Sequence, residues 1–239
     1  MEQPSPRPAD VDRPLPRKRP GWRRALLWLP ALLIGWPLFG TLLFAVVPPP
    51  STLMLGRWLT GQAVQRNYVP LAQMSPQLVR AVIASEDQRF CVHHGIDLGE
   101  LRAVLSEGSP SRGASTITMQ VAKNIFLWPG RSYIRKALEL PIAVWIDLVW
   151  SKRRIIEVYL NIAEWGEGLY GAEAAAQANF GKRAQQLDKV EAARLARALP
   201  NPLLRNPAQP GPQLRGLSRA LLARMDSTGL DVGCLGPLR

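Results

Sequence analysis

The sequence predicts an all-α, or mostly α-helical, domain preceded by one membrane-spanning helix near the N-terminus. Three observations predict it. An uncharged apolar run from Ala25 to Val47 is long enough to cross a bilayer as a helix. Beyond it, apolar residues recur at helical spacing, as at Leu78, Val79, Val82 and Ile83. Convincing runs of alternating apolar and polar residues, the mark of half-buried strands, are scarce.

The elements follow in order. Residues 1–24 are rich in Pro and Arg without apolar periodicity, and read as a disordered basic tail facing the cytoplasm. Residues 25–47 are the anchor. Pro30 and Pro37 can kink it, which membrane helices tolerate. Trp22 and Trp28 sit near its basic flank, as interfacial anchors often do, and the basic cluster places its N-terminal side in the cytoplasm. A cleaved signal peptide is the rival reading. The run is longer than a usual signal core and no A-x-A site follows Ala45, which favours an uncleaved anchor. Pro48-Pro49-Pro50 ends the span, and 48–70 reads as a linker. The main domain is expected over 71–225, with 226–239 as a C-terminal tail. Ser75-Pro76 is a helix start, with Ser as N-cap and Pro at the first helical position. Segment 106–116 is dense in Gly, Ser and Pro and reads as a loop. Residues 132–162 read as one long helix or two abutting ones, interrupted near Pro141. Residues 172–180 and 188–199 are Ala-rich and helical, and Pro200, Pro202 and Pro207 then break the pattern.

Charge narrows the function classes. The chain carries a formal net charge of +12, and removing the first 24 residues still leaves an excess of +8. A basic body implies an anionic partner: nucleic acid, anionic lipid or a phosphorylated substrate. Two cysteines, Cys91 and Cys234, are too few for a disulfide scaffold or a metal cluster. They could pair in an oxidising compartment, though two separate thiols is the plainer reading. His93 and His94 are the only histidines and have no zinc-ligand pattern around them.

Three stretches could carry chemistry. In the first, Ile83 to Phe90 and on to Gly95, Glu86 ends an apolar helix. Its neighbours can desolvate the carboxylate, raising its pKa and suiting it to proton transfer. Asp87 points about 100° away on a helix, so only one of the two acids easily faces a cleft. From spacing alone, a helix-end carboxylate bonded to Arg89 or capping a turn is the plainer reading of Glu86. The second stretch is RGASTITMQ followed by Lys123 and Asn124. A small-residue loop feeding a helix offers N–H groups and hydroxyls to an anionic or sugar ligand. Ser115 is also a plain N-cap candidate. In the third, Arg135 and Glu139 stand at i, i+4 and Lys136 and Glu139 at i, i+3. They make either surface ion pairs or a phosphate-binding face with the acid as orienter. Lys152, Arg153, Arg154 and Glu157 repeat the style, and there a solvated face is the reading.

In order, SEDQRFCVHHG, RGASTITMQVAKN, RKALE, SKRRIIEVYLN and GLYGAEAAAQANFGK closely resemble the five motifs of the family 51 glycosyltransferases. These are the peptidoglycan glycosyltransferases, also found as one module of bifunctional penicillin-binding proteins. The resemblance covers roughly Leu71 to Pro207. With the anchor, it is nearest to the monofunctional members, and the chain to Arg239 leaves no room for a transpeptidase domain.

The resemblance implies a lysozyme-like helical fold. It implies that Glu86 is the general base for the acceptor 4-hydroxyl of lipid II, and that Glu139 is the second catalytic glutamate. It implies a cationic set, Lys123, Arg131, Arg135 and Lys136, for the leaving diphosphate. Ser115, Thr116, Gln120 and Asn124 match the second motif and are expected to line the cleft, with Arg89 and Arg112 as further phosphate candidates. Asp87 and Phe90 are expected as support, by hydrogen bonding and packing. No cofactor is required outright, and a divalent cation, Mg or Mn, near the diphosphate is one role open to Glu139. Implied partners are lipid II, the growing lipid-linked strand, the inner membrane and cell-wall synthesis or division proteins, with the domain periplasmic and no nucleic acid. Met119 and Ala114 depart from the Gln and Gly common at those motif positions. A lysozyme-like hydrolase and a non-catalytic wall scaffold are the competing readings. The cationic cluster argues against the first, and retention of both glutamates against the second.

Overall fold

A computed structural model describes residues 34–107, 115–130, 132–226 and 229–238. The chain divides after Trp36 into two units, and of the first only 34–36 are described, as helix. The expected tail and residues 25–33 of the expected anchor therefore lie outside the described residues. Among those described, no helix is long and apolar enough to cross a membrane. Residues 37–44 are helical and expose Leu38, Phe39, Leu42 and Leu43.

From there the second unit is built almost wholly of helices: α1 (Thr52–Leu59), α2 (Pro76–Glu86), α3 (Leu98–Glu107), α4 (Ile117–Phe126), α5 (Tyr133–Val149), α6 (Lys152–Ile162), α7 (Ala172–Phe180), α8 (Lys189–Ala198) and α9 (Pro212–Asp226). Three short strands, β1 (Gln65–Arg66), β2 (Glu164–Gly166) and β3 (Leu169–Tyr170), form a sheet in the order β1-β3-β2. β1 runs parallel and β2 antiparallel to β3.

The stripe read from the sequence on α2 is the core face. Leu78, Val79, Val82 and Ile83 are fully buried, joined by Ala81 and Ala84. α2 packs on α8, and α9 covers both. A second group sets α4 against α5 and α6. Ser75 caps α2 by accepting from the Gln77 N–H, with Pro76 at the first position as expected. Asp188 caps α8 in a reciprocal box with Glu191.

The structure departs from the sequence reading in four places. Pro141 does not interrupt a helix: α5 runs through it, and the break falls at Trp150-Ser151. A helical proline costs the bond to the carbonyl four residues back. Here that carbonyl belongs to Ala137, and both residues are exposed, so water replaces the lost donor. Ser151 restarts the chain by capping α6. Second, the segment read as a linker carries α1, whose Met54 is fully buried. Third, the Lys152–Glu157 stretch is not a solvated face. Glu157 accepts from the Leu71 N–H and Tyr68 hydroxyl, both at 2.9 Å. Arg154 donates to Glu157, to Phe44 O at 2.8 Å and to Val47 O at 3.0 Å. Long-range partners absent from the local sequence turn these charges into struts. Fourth, Cys91 and Cys234 are not separate thiols but a disulfide across 143 residues of sequence. It fastens the C-terminal segment beside the start of the main domain, and Arg153 adds a bond to Leu235 O at 2.9 Å.

Candidate active site

Glu86 is the last residue of α2 and is half-buried. Its Oε1 faces the Ser85 hydroxyl at 3.1 Å, and its Oε2 accepts from Gln120 Nε2 at 3.3 Å. The buried Tyr159 hydroxyl donates to Gln120 Oε1 at 3.1 Å, which fixes the amide with its NH2 toward Glu86. Burial pushes the Glu86 carboxyl above the ordinary range; the Gln120 and Ser85 bonds and the Arg197 charge pull it back only partly. The alternative of a salt bridge to Arg89 is not formed: Arg89 pairs with Asp97 at 3.1 Å.

Asp87 and Phe90 lie at this same end of α2. Asp87 leaves the helix, and its Oδ2 accepts from the Ile117 N–H at 2.9 Å, tying α2 to the start of α4. His93 Nε2 lies 2.9 and 3.0 Å from the two Asp87 oxygens. Phe90 is fully buried under the Lys152 ammonium, 4.8 Å from the ring centroid. Gly95 has φ +81, and a Cβ there would sit 2.6 Å from Ala143 O, so only glycine permits this approach to α5. Its carbonyl accepts from the Thr116 hydroxyl at 2.6 Å.

The second motif divides between fold and site. The helix cap is Thr116, not Ser115: Thr116 Oγ1 accepts from the Met119 N–H and is buried. Its hydroxyl is committed to the fold rather than free to line a cleft. Ser115 instead meets Lys136 Nζ. Met119 is fully buried in the core, so its missing amide is not missing from the cleft. Gln120 reaches Glu86. Asn124 is half-buried, and its backbone carbonyl accepts from the Thr52 hydroxyl.

On α5, Glu139 is 2% exposed and Arg135 9%. Arg135 pairs with Glu139 Oε1 and donates through Nε to Gly130 O at 2.9 Å. Lys136 Nζ lies 3.0 Å from Glu139 Oε2. Burial lowers the Lys136 pKa to about 8, with repulsion from Arg135 and then Lys123 adding to it. Lys123 is lowered too, by burial first and Arg135 second, while Glu86 pulls it back. Lys123 thus stands electrostatically between Glu86 and Arg135. Arg135 and Lys136 share one acid partner and Lys123 adds a third cation beside them, so the pocket holds surplus positive charge. Each Glu139 oxygen faces a cation, and among the described residues no group of three His, Cys, Asp or Glu could hold a metal ion. These residues do not fit a protein-built divalent site. Arg112 and Arg131 lie outside the described residues, as does Ala114.

The sequence reading missed Ser85, Tyr159 and Arg197 around Glu86, and the bond from His93 to Asp87. Ser85 adjoins the base and could have been suspected. Nothing in the spacing points to the other three.

A family model described as transglycosylase matches residues 53–226. The chain belongs to this family. Curated relatives named biosynthetic peptidoglycan transglycosylase cover nearly all of it. One from Rhodopseudomonas palustris strain HaA2 is 54% identical over 214 residues, 87% of this chain and 94% of that protein. One from Mesorhizobium japonicum is 50% identical over 220 residues, 90% and 93% of the two chains. One from Agrobacterium fabrum is 49% identical over 214 residues, 88% and 92%. The match begins within α1, in line with that helix belonging to the folded domain of a transglycosylase rather than to a linker.

Proposed function

We propose that this transglycosylase polymerises lipid II into β-1,4 glycan strands, with inversion at C1 of MurNAc and release of undecaprenyl diphosphate. The observation that carries the reading is the pairing of a desolvated, neutrally hydrogen-bonded Glu86 with a cationic pocket around Glu139, joined by Lys123. The family names of the relatives supply the substrate class.

The chemistry follows from the charges. Glu86 takes the proton from the 4-hydroxyl of the acceptor GlcNAc. The oxygen attacks C1 of the donor MurNAc, and the C1–O bond to phosphorus breaks, its electron pair leaving with the diphosphate. A raised pKa makes Glu86 a stronger base at neutral pH. Lys123, Arg135 and Lys136 stabilise the charge that develops on the leaving group. Arg135 offers a planar fork and the lysines point charges. Glu139 holds Arg135 and Lys136 in place, so the cations are positioned before substrate arrives. The domain is lysozyme-like in this reading, and it works at the periplasmic face of the inner membrane behind the 25–47 anchor. The Cys91–Cys234 disulfide supports an oxidising compartment.

The test is incubation of purified protein with labelled lipid II in detergent. Long uncrosslinked glycan is expected, with inhibition by moenomycin, which resembles the donor strand in this family. Folded wild-type protein that makes no polymer overturns the proposal. Shortening of preformed glycan would turn the reading to the hydrolase, which has no diphosphate for the cationic pocket to hold.

A further inference from the structure

Arg197 belongs to none of the five motifs and takes no part in the chemistry above, yet it stands directly behind the base. It lies near the end of α8, the helix packed along α2. Its Nη1 donates to Ser85 Oγ at 3.2 Å. The Ser85 hydroxyl has two acceptors in reach, Glu86 Oε1 at 3.1 Å and Ala196 O at 3.5 Å. With a guanidinium N–H on its lone pair, the hydroxyl is left to point its proton at an acceptor, and the carboxylate is both nearer and charged. The Arg205 side chain holds this end of α8 by donating to Arg197 O at 2.8 Å.

The position of Glu86 explains why such help is needed. A carboxylate at the C-terminal end of a helix faces the negative pole of the helix dipole. α2 carries no basic residue in its own last turn. The cations come from other helices: Arg197 from α8, and Arg224 from α9, which donates to Ala84 O at 3.1 Å. Around Glu86 the titratable and polar groups are Ser85 and Asp87 on its own segment, Gln120 and Lys123 from α4, Tyr159 from α6 and Arg197 from α8. Asp87 opposes ionisation and Tyr159 is neutral. Lys123 is the cation that a substrate phosphate would engage. Arg197 is the one that stays with Glu86.

We propose that Arg197, acting through the Ser85 hydroxyl, is a positioning residue that orients Glu86 and keeps it ionised. The proposal rests on Glu86 being the base. It mirrors the opposite side of the carboxylate, where Tyr159 acts through Gln120 on Oε2. Each oxygen is held by a neutral donor that is itself aligned by a second group.

The test is a 13C NMR titration of the Glu86 side-chain carboxyl, assigned by its loss in Glu86→Gln, alongside the pH profile of kcat. Arg197→Met and Ser85→Ala should both move the Glu86 midpoint to higher pH, and the acid limb of kcat with it. The loss on the acid side should be on the order of tenfold, a part of a general base's whole worth. Arg197→Lys, which keeps the charge, should restore most of the midpoint. The double variant should go little further than the larger single, because both act through one relay. An unmoved midpoint in folded Arg197→Met overturns the proposal. If that variant does not fold, an unmoved midpoint in Ser85→Ala overturns it equally. A moved midpoint in a protein that polymerises nothing at any pH breaks the functional reading and leaves the relay standing.

Discussion

The two glutamates of this site sit in opposite surroundings. Glu86 ends a helix, meets only neutral donors directly, and is pushed by burial toward holding a proton. Glu139 lies within a helix, more deeply buried, with a cation on each oxygen. A carboxylate that must accept a proton gains from the first setting, because desolvation strengthens it as a base. A carboxylate clamped between Arg135 and Lys136 has its lone pairs engaged and is suited to holding cations in place. The difference fits the two roles in the proposed mechanism: proton transfer at Glu86, preorganised positive charge around Glu139.

The sharpest way to break this division is Glu86→Gln. The amide keeps the shape and cannot take the proton. Polymerisation of lipid II should fall by about 10²–10⁴-fold, the usual worth of a general base, while the melting temperature changes little. Residual activity near wild type would end the assignment of Glu86.

Glu139→Gln should behave differently. It leaves the buried Arg135 and the half-buried Lys136 without their acid, and breaking the buried Arg135 pair costs about 3–5 kcal/mol. A lowered melting temperature should accompany lost activity, so stability separates the two glutamates where turnover alone does not. Thermal denaturation of both variants side by side checks it. Equal melting temperatures would mean that the clamp around Glu139 is not the stabilising contact described here.

The Cys91–Cys234 bond bears first on the Glu86 side, since Cys91 sits in the loop that also carries His93 and its contact with Asp87. Cys234→Ser should lower stability by about 2–4 kcal/mol, measured by denaturant unfolding under oxidising conditions. The Lys136 side of the site should be untouched, so the alkaline limb of the pH profile should keep its position. A moved alkaline limb would show that the two regions are not independent.

How much of this could be read from the sequence varies with the range of the interaction. The α2 stripe, the Ser75-Pro76 start and the Arg135–Lys136–Glu139 geometry were legible because each lies within about two helical turns, where spacing alone sets which side chains meet. Glu86 as a helix-end acid was legible for the same reason. Of the groups that tune it, Gln120 was legible only through the family resemblance, while Tyr159 and Arg197 arrive from other helices and no local pattern says which faces will meet. The Lys152–Glu157 struts were misread on the same ground, since Tyr68, Phe44 and Val47 are distant in sequence. Pro141 misled because a solvent-facing proline is cheap inside a helix whose other face is held by the core.

The smallest predicted effect tests the cationic side by its pH dependence. Lys136 is held at about 8 by burial beside Arg135 and Lys123. It is charged below that pH and neutral above it, so the pocket loses one of its charges as the pH rises through about 8. The kcat/KM for lipid II reports the free enzyme and should fall along an alkaline limb there. Lys136→Arg keeps the charge at every accessible pH, because a guanidinium does not deprotonate in this range. The variant should therefore lose the alkaline limb while its acid limb, set at Glu86, stays in place. A limb that persists near the same pH in Lys136→Arg would assign the alkaline step to another group. A shift of both limbs together would erase the distinction between the two glutamate regions.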